Sequence, residues 1–133
     1  MQDKNPADMT GRFIGRTPLH YATAHGHFDI VKYISGHLDD KNPVDNIGRF
    51  VGRTPLHISA EMGHLEIFKY ISGHLTDKNP VDNTRKRRTP LHFTAENGHL
   101  DIVKYMLEHV EDKNPVDHDG ITPLQDSLIQ GDP

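Results

Sequence analysis

Two short words recur along the chain at nearly fixed spacing, and that recurrence limits the architectures open to it. Thr-Pro-Leu-His begins at Thr17, Thr54 and Thr89, and a fourth copy from Thr122 ends in Gln125. Asp-Lys-Asn-Pro begins at Asp3, Asp40, Asp77 and Asp112. Each Thr is followed by the next Asp after 23 residues, whereas the return from Asp to Thr takes 14, 14, 12 and then 10. A constant block alternating with a loop of changing length marks a stacked repeat, in which each unit buries its apolar face against its neighbours. Composition agrees: 34% of the 133 residues are hydrophobic and there is no Trp, which is lean for one compact core but suits a thin solenoid. The chain reads as a single domain over residues 1–133, with about three full repeats and a truncated fourth from about residue 112.

Within one repeat the residue order dictates two helices. Thr is a good N-cap, Pro at the first helical position has no N–H to waste, and His stands where a capping box carries Glu or Gln. The first helix is expected over roughly 18–25. Gly26, Gly63 and Gly98 then break the chain. The second helix is expected over roughly 28–37, with Ile30, Val31 and Ile34 on one stripe and Asp29 near its positive end. The corresponding stripes are Ile67, Phe68 and Ile71, then Ile102, Val103 and Met106. Asn-Pro stops any helix, and an extended loop leads to the next Thr.

These residues resemble the ankyrin repeats. Gly120-Ile121-Thr122-Pro123-Leu124 and Gly63-His64-Leu65-Glu66-Ile67 look like the signature of that family, and Asp112-Lys113-Asn114 like its Asp-x-Asn. The resemblance implies an all-α repeat solenoid: helix-turn-helix units with extended β-hairpin finger loops, and partners held on the concave side by fingertips and first helices. It also implies a non-catalytic module for protein–protein contacts. The chain departs from the pattern in three places. Leu38, Leu75 and Val110 replace the usual Gly after the second helix, while Gly36 and Gly73 fall inside its last turn, so that helix is expected to end early there. No polar capping repeat precedes the first unit, and the fourth unit stops before its second helix. The chain is therefore expected to be an excised segment of a longer array.

Function is expected on two surfaces. The interval from Thr89 to Thr122 is 33 residues, and the two earlier intervals are 37 and 35. The excess lies in the fingers, whose loops hold eight of the 15 Lys and Arg residues of a chain with net charge −4. The binding candidates there are Arg12, Phe13, Arg16, Arg49, Phe50, Arg53, Arg85, Arg87 and Arg88. Repeats stacked at about 10 Å would merge these cations into one electropositive strip. Arg pairs bidentately with carboxylate or phosphate, so an acidic or mixed acidic-apolar epitope on another protein is the expected partner. By resemblance Tyr21, Ile58, Phe93 and Met62 face the groove and form an apolar column beneath the fingers. Two further readings stand beside this one: a polyanion binder for nucleic acid or phosphorylated or sulfated ligands, and a structural spacer within a longer array.

Other chemistry has less to rest on. Nine of the 11 His recur at repeat-locked positions, which points to capping and packing rather than metal. Asn42, Asn79 and Asn114 sit where oxygenases hydroxylate some members of the resembled family, and a turn role is expected for them. The basic run 85–88 resembles a nuclear-import cluster. No nucleophile–base pair, phosphate-cradling glycine loop or paired-acid motif is found, so no enzymatic activity and no cofactor are expected. No apolar run approaches the 18 residues of a membrane span, and the lack of Cys fits a reducing, intracellular and cytoplasmic setting.

Overall fold

The computed structural model describes residues 17–41, 53–82 and 86–125. Six helices follow one another in pairs: α1 (Pro18–Ala24) and α2 (Phe28–Ser35), α3 (Pro55–Met62) and α4 (Leu65–Ser72), α5 (Pro90–Glu96) and α6 (Leu100–His109). A further helical turn begins at 123–125. Each pair packs face to face. The first helices α1, α3 and α5 stack into one layer and the second helices α2, α4 and α6 into another. This is an all-α repeat solenoid.

Each first helix starts at the Thr that the sequence predicts. Thr17, Thr54 and Thr89 are extended N-caps whose side chains accept the N–H of His20, His57 and His92. In α1 and α5 the imidazole replies, with Nδ1 accepting the Thr17 and Thr89 N–H at 3.1 and 3.2 Å. The His thus takes the role of Glu in a capping box. The other ring nitrogen reaches the next unit: Nε2 of His20, His57 and His92 donates to the carbonyls of Arg53, Pro80 and Ile121 at 3.2, 3.0 and 2.8 Å. A carbonyl can only accept, so Nε2 carries the proton and Nδ1 the lone pair.

Gly26, Gly63 and Gly98 take positive φ values of 74, 81 and 73° and turn the chain between helices. The second helices end where glycine falls. α2 and α4 stop at Ser35 and Ser72, before Gly36 and Gly73, whereas α6 has Glu108 at that register and runs two residues longer. The last carbonyls are then capped from outside by the Lys of Asp-Lys-Asn-Pro. Lys41 Nζ donates to Ser35 and Leu38, Lys78 Nζ to Ser72 and Leu75, and Lys113 Nζ to Val110. A cation is favourable there because the helix dipole is negative at that end.

The core is one continuous cluster running through all three pairs, with Leu19, Leu56 and Leu91 in the inner layer and Val31, Phe68, Ile71, Ile102 and Met106 in the outer. The loops are held by turns. Asp82 N–H donates to Arg88 O at 2.7 Å and Arg88 N–H to the Asp82 carboxylate at 3.1 Å, closing the third finger. Asp117 closes the fourth in the same way, accepting from Asp119 and Ile121. Among the described residues these two finger turns contain no strand, and a carboxylate closes each of them.

Candidate functional site

Two finger arginines, Arg53 and Arg88, lie against the inner helices α3 and α5. Residues four apart lie on one helical face, which places Tyr21 beside His25, Ile58 beside Met62 and Phe93 beside Asn97. Tyr21 is half-buried, and Met62 is 48% exposed. Ile58 and Phe93 are buried, so the expected apolar column is open only at Tyr21 and Met62.

Phe93 is covered by two finger cations. The Arg53 guanidinium lies 4.9 Å from its ring centroid and that of Arg88 4.7 Å. The His57 ring meets Phe93 edge-on at 5.9 Å. Each arginine is also ion-paired, Arg53 with Glu61 at 2.9 Å and Arg88 with Glu96 at 2.6 Å. Arg53 is buried, and its pairing with Glu61 means that it does not project as a free fingertip cation. The physical reason is the aromatic face beneath it: stacking on Phe93 desolvates the guanidinium, and the carboxylate of Glu61, eight residues along the chain, neutralises it. Arg87 and Lys86 do project. Both are exposed, and Arg87 sits in the left-handed region at φ 52°. Arg12, Phe13, Arg16, Arg49, Phe50 and Arg85 lie outside the described residues.

The pairing of Arg53 with Glu61 and of Arg88 with Glu96 was not anticipated from the sequence, although a signal exists. Arg53 and Glu61 are eight residues apart, as are Arg88 and Glu96, and the same register in the first repeat pairs Arg16 with Ala24. The histidines were legible as capping and packing groups, and each of the three sets has its own hydrogen bond. Besides the N-terminal set, His64 and His99 donate Nε2–H to Ala24 and Glu61 carbonyls of the preceding repeat at 3.2 and 2.7 Å. His37, His74 and His109 turn Nδ1 to the carbonyls of Tyr33, Tyr70 and Tyr105 at 2.7–2.8 Å. Asn79 accepts the Leu91 N–H at 3.0 Å and so ties its turn to the next helix.

Burial pushes the His57 imidazole down to about 4, opposed by the negative charge of Asp82 and the Pro80 carbonyl and assisted by the Arg53 cation. Beneath the fingers, therefore, a neutral histidine supports the aromatic platform. Among the described residues no group of three or more His, Cys, Asp or Glu is placed to hold a metal ion. No described helix is long and apolar enough to cross a membrane.

The family model described as Ankyrin repeats (3 copies) matches residues 2–82 and 73–133. No curated protein matches the chain.

Proposed function

Since this chain belongs to the ankyrin repeat family, whose members are generally protein–protein interaction modules, we propose that it binds another protein through its concave side. The partner presents an acidic or mixed acidic-apolar segment. The observation that carries this reading is the pairing of an open apolar residue with an open cationic tip: exposed Met62 and half-buried Tyr21 on the inner helices, with exposed Lys86 and Arg87 on the third finger. Met is a soft, adaptable contact residue, and the tip charges steer an anionic partner toward it. Arg53 and Arg88 serve chiefly to hold the fingers over Phe93 in this reading, and they offer a partner carboxylate the chance to replace Glu61 or Glu96. Arg12, Phe13, Arg16, Arg49, Phe50 and Arg85 are proposed as further contacts on the strength of the sequence alone. The module is non-catalytic and needs no cofactor.

A polyanion reading is supported by the same cations and is separated by salt. A complex driven by phosphates weakens about 10³-fold or more between roughly 50 and 200 mM salt, because bound counterions are released. A groove-anchored protein complex loses far less. The test is a quantitative pull-down with the wild-type chain, Met62→Glu and Lys86→Glu/Arg87→Glu at both salt levels. A defined protein kept by wild type at high salt and lost by both variants supports the proposal. Nucleic acid that elutes with salt favours the polyanion reading. Equal recovery by all three overturns the assignment of this surface.

A further inference from the structure

One six-letter word, Asp-Lys-Asn-Pro-Val-Asp, recurs in the loops after α2, α4 and α6, at 40–45, 77–82 and 112–117. Most of its letters have a role inside the fold. Lys78 Nζ donates to the carbonyls of Ser72 and Leu75, Asn79 accepts the Leu91 N–H, and Asp82 and Asp117 close the finger turns. The valine of the described loops is not part of the core cluster. Val81 has a helix pair on either side of it and is still 39% exposed. An apolar side chain repeated at one register and left at the surface marks a contact with something outside the chain.

Val81 borders a cleft of about 670 Å³. Sites that hold a ligand span about 300–1,000 Å³. One wall is the loop at 76–81 and the other the loop at 109–116, so the cleft lies between two successive repeats, in the body of the stack. Val81 supplies apolar surface on the first wall, and Pro115 and Val116 supply it on the second. Three exposed carboxylates line the same cleft: Asp77, Glu111 and Asp112. His109 adds a further acceptor, because its Nδ1–H donates to the Tyr105 carbonyl at 2.7 Å and Nε2 therefore carries the lone pair. The lysines of these loops are taken up by backbone carbonyls, Lys78 at 2.8 and 3.1 Å and Lys113 at 3.0 Å. None of Tyr21, Met62, Lys86 or Arg87 lines the cleft.

We propose that this cleft receives an extended segment of another protein in which basic and apolar side chains alternate. Charge complementarity selects the basic residues: their N–H groups meet the carboxylates of Asp77, Glu111 and Asp112. The apolar residues pack between Val81 and Val116. Alternation follows from backbone geometry, since successive side chains of an extended segment point to opposite sides and so reach different parts of the cleft. An acidic segment, suited to the cationic tip of the third finger, is repelled here by like charge. The chain then holds two partners of opposite charge on separate surfaces.

Titration of the ¹⁵N-labelled full chain with capped hexapeptides, followed by amide chemical shifts, tests this. The probes alternate Arg with Val, Glu with Val, or Arg with Gly. The Arg-Val probe is expected to shift the amides of 76–79, 81 and 109–112 in a saturable way. It is expected to bind about tenfold more tightly than Arg-Gly, the factor that corresponds to burying one Val side chain. The Glu-Val probe is expected to leave those amides unmoved. Val81→Ser and Glu111→Lys should each weaken Arg-Val binding by about threefold. Both positions are exposed, and a retained helical circular dichroism spectrum verifies the fold. Equal affinity for Arg-Val and Arg-Gly would reduce the effect to diffuse charge attraction and overturn the proposal. So would binding of Glu-Val in the cleft, shifts confined to α3 and α5, an absence of saturable shifts, or unchanged affinity in both variants.

Discussion

A histidine at the third helical position caps its own helix with one nitrogen and binds the next repeat with the other. Burial gives that arrangement a pH dependence at His57, whose imidazole is pushed down to about 4 from 6.5. As pH falls below 6.5 the unfolded chain takes up a proton that the folded chain refuses until about pH 4. The stability linked to His57 is thus fully present above 6.5 and is lost between 6.5 and 4, amounting to roughly 3 kcal/mol. His57→Gln preserves a capping acceptor, as Gln125 does for the Thr122 N–H at 2.9 Å, and it should flatten stability against pH in urea titrations over that window. The interhelical glycines supply a second test. Gly63→Ala strains a left-handed backbone and drives a Cβ into His99, whereas Gly98→Ala strains the same backbone with no described residue within 4 Å of the added Cβ. Both are expected to lower the unfolding midpoint, Gly63→Ala the more, by at least about 1 kcal/mol beyond the backbone effect. Equal losses would mean that the His99 socket contributes nothing.

At the scale of one helix pair, local chemistry and packing contribute in different amounts. The Thr54 hydroxyl satisfies one N–H at the start of α3, so Thr54→Ala should lower stability by about 1 kcal/mol. Ile67 is fully enclosed at the centre of the outer layer, and Ile67→Ala should cost about 2–5 kcal/mol, read from chemical denaturation. An unchanged midpoint for Ile67→Ala would contradict the packing of α4. The element ends were legible because they depend on single residues. Gly36 and Gly73 cut α2 and α4 at eight residues, and Glu108 lets α6 reach ten. The lysine caps were not legible. Lys41 and Lys78 reach back six residues to Ser35 and Ser72, across a turn whose path the sequence does not specify.

Across the whole molecule, stability passes from repeat to repeat, since each unit touches only its neighbours. Phe93 is a junction in that chain, packed under arginines of two successive fingers and against His57 of the repeat before. Phe93→Leu keeps the volume nearly unchanged but removes the aromatic face. It should therefore speed amide hydrogen exchange at Arg88 and Asp82, whose mutual bonds close the third finger, while leaving α1 and α2 protected. Uniform loss of protection along the chain would argue against a local junction. The same view explains why the basic fingers were only partly readable. Their charge was plain, but a cation in a loop becomes a clamp or a contact according to what lies beneath it. Arg53 and Arg88 have Phe93 and a glutamate beneath them, whereas Lys86 and Arg87 project.

By itself the sequence determined the repeat, its helices, their N-terminal capping residues and their ends, because each of these depends on neighbours within a few positions along the chain. Tertiary structure alone decided which side chains remain open. Ile58 and Phe93 are enclosed while Met62, one turn beyond Ile58 on the same helix, is exposed. Ile30 is exposed while Ile67 and Ile102, its repeat equivalents, are covered. In a stacked fold burial is conferred by the adjoining unit, so identical local sequences acquire different surroundings according to their place in the stack.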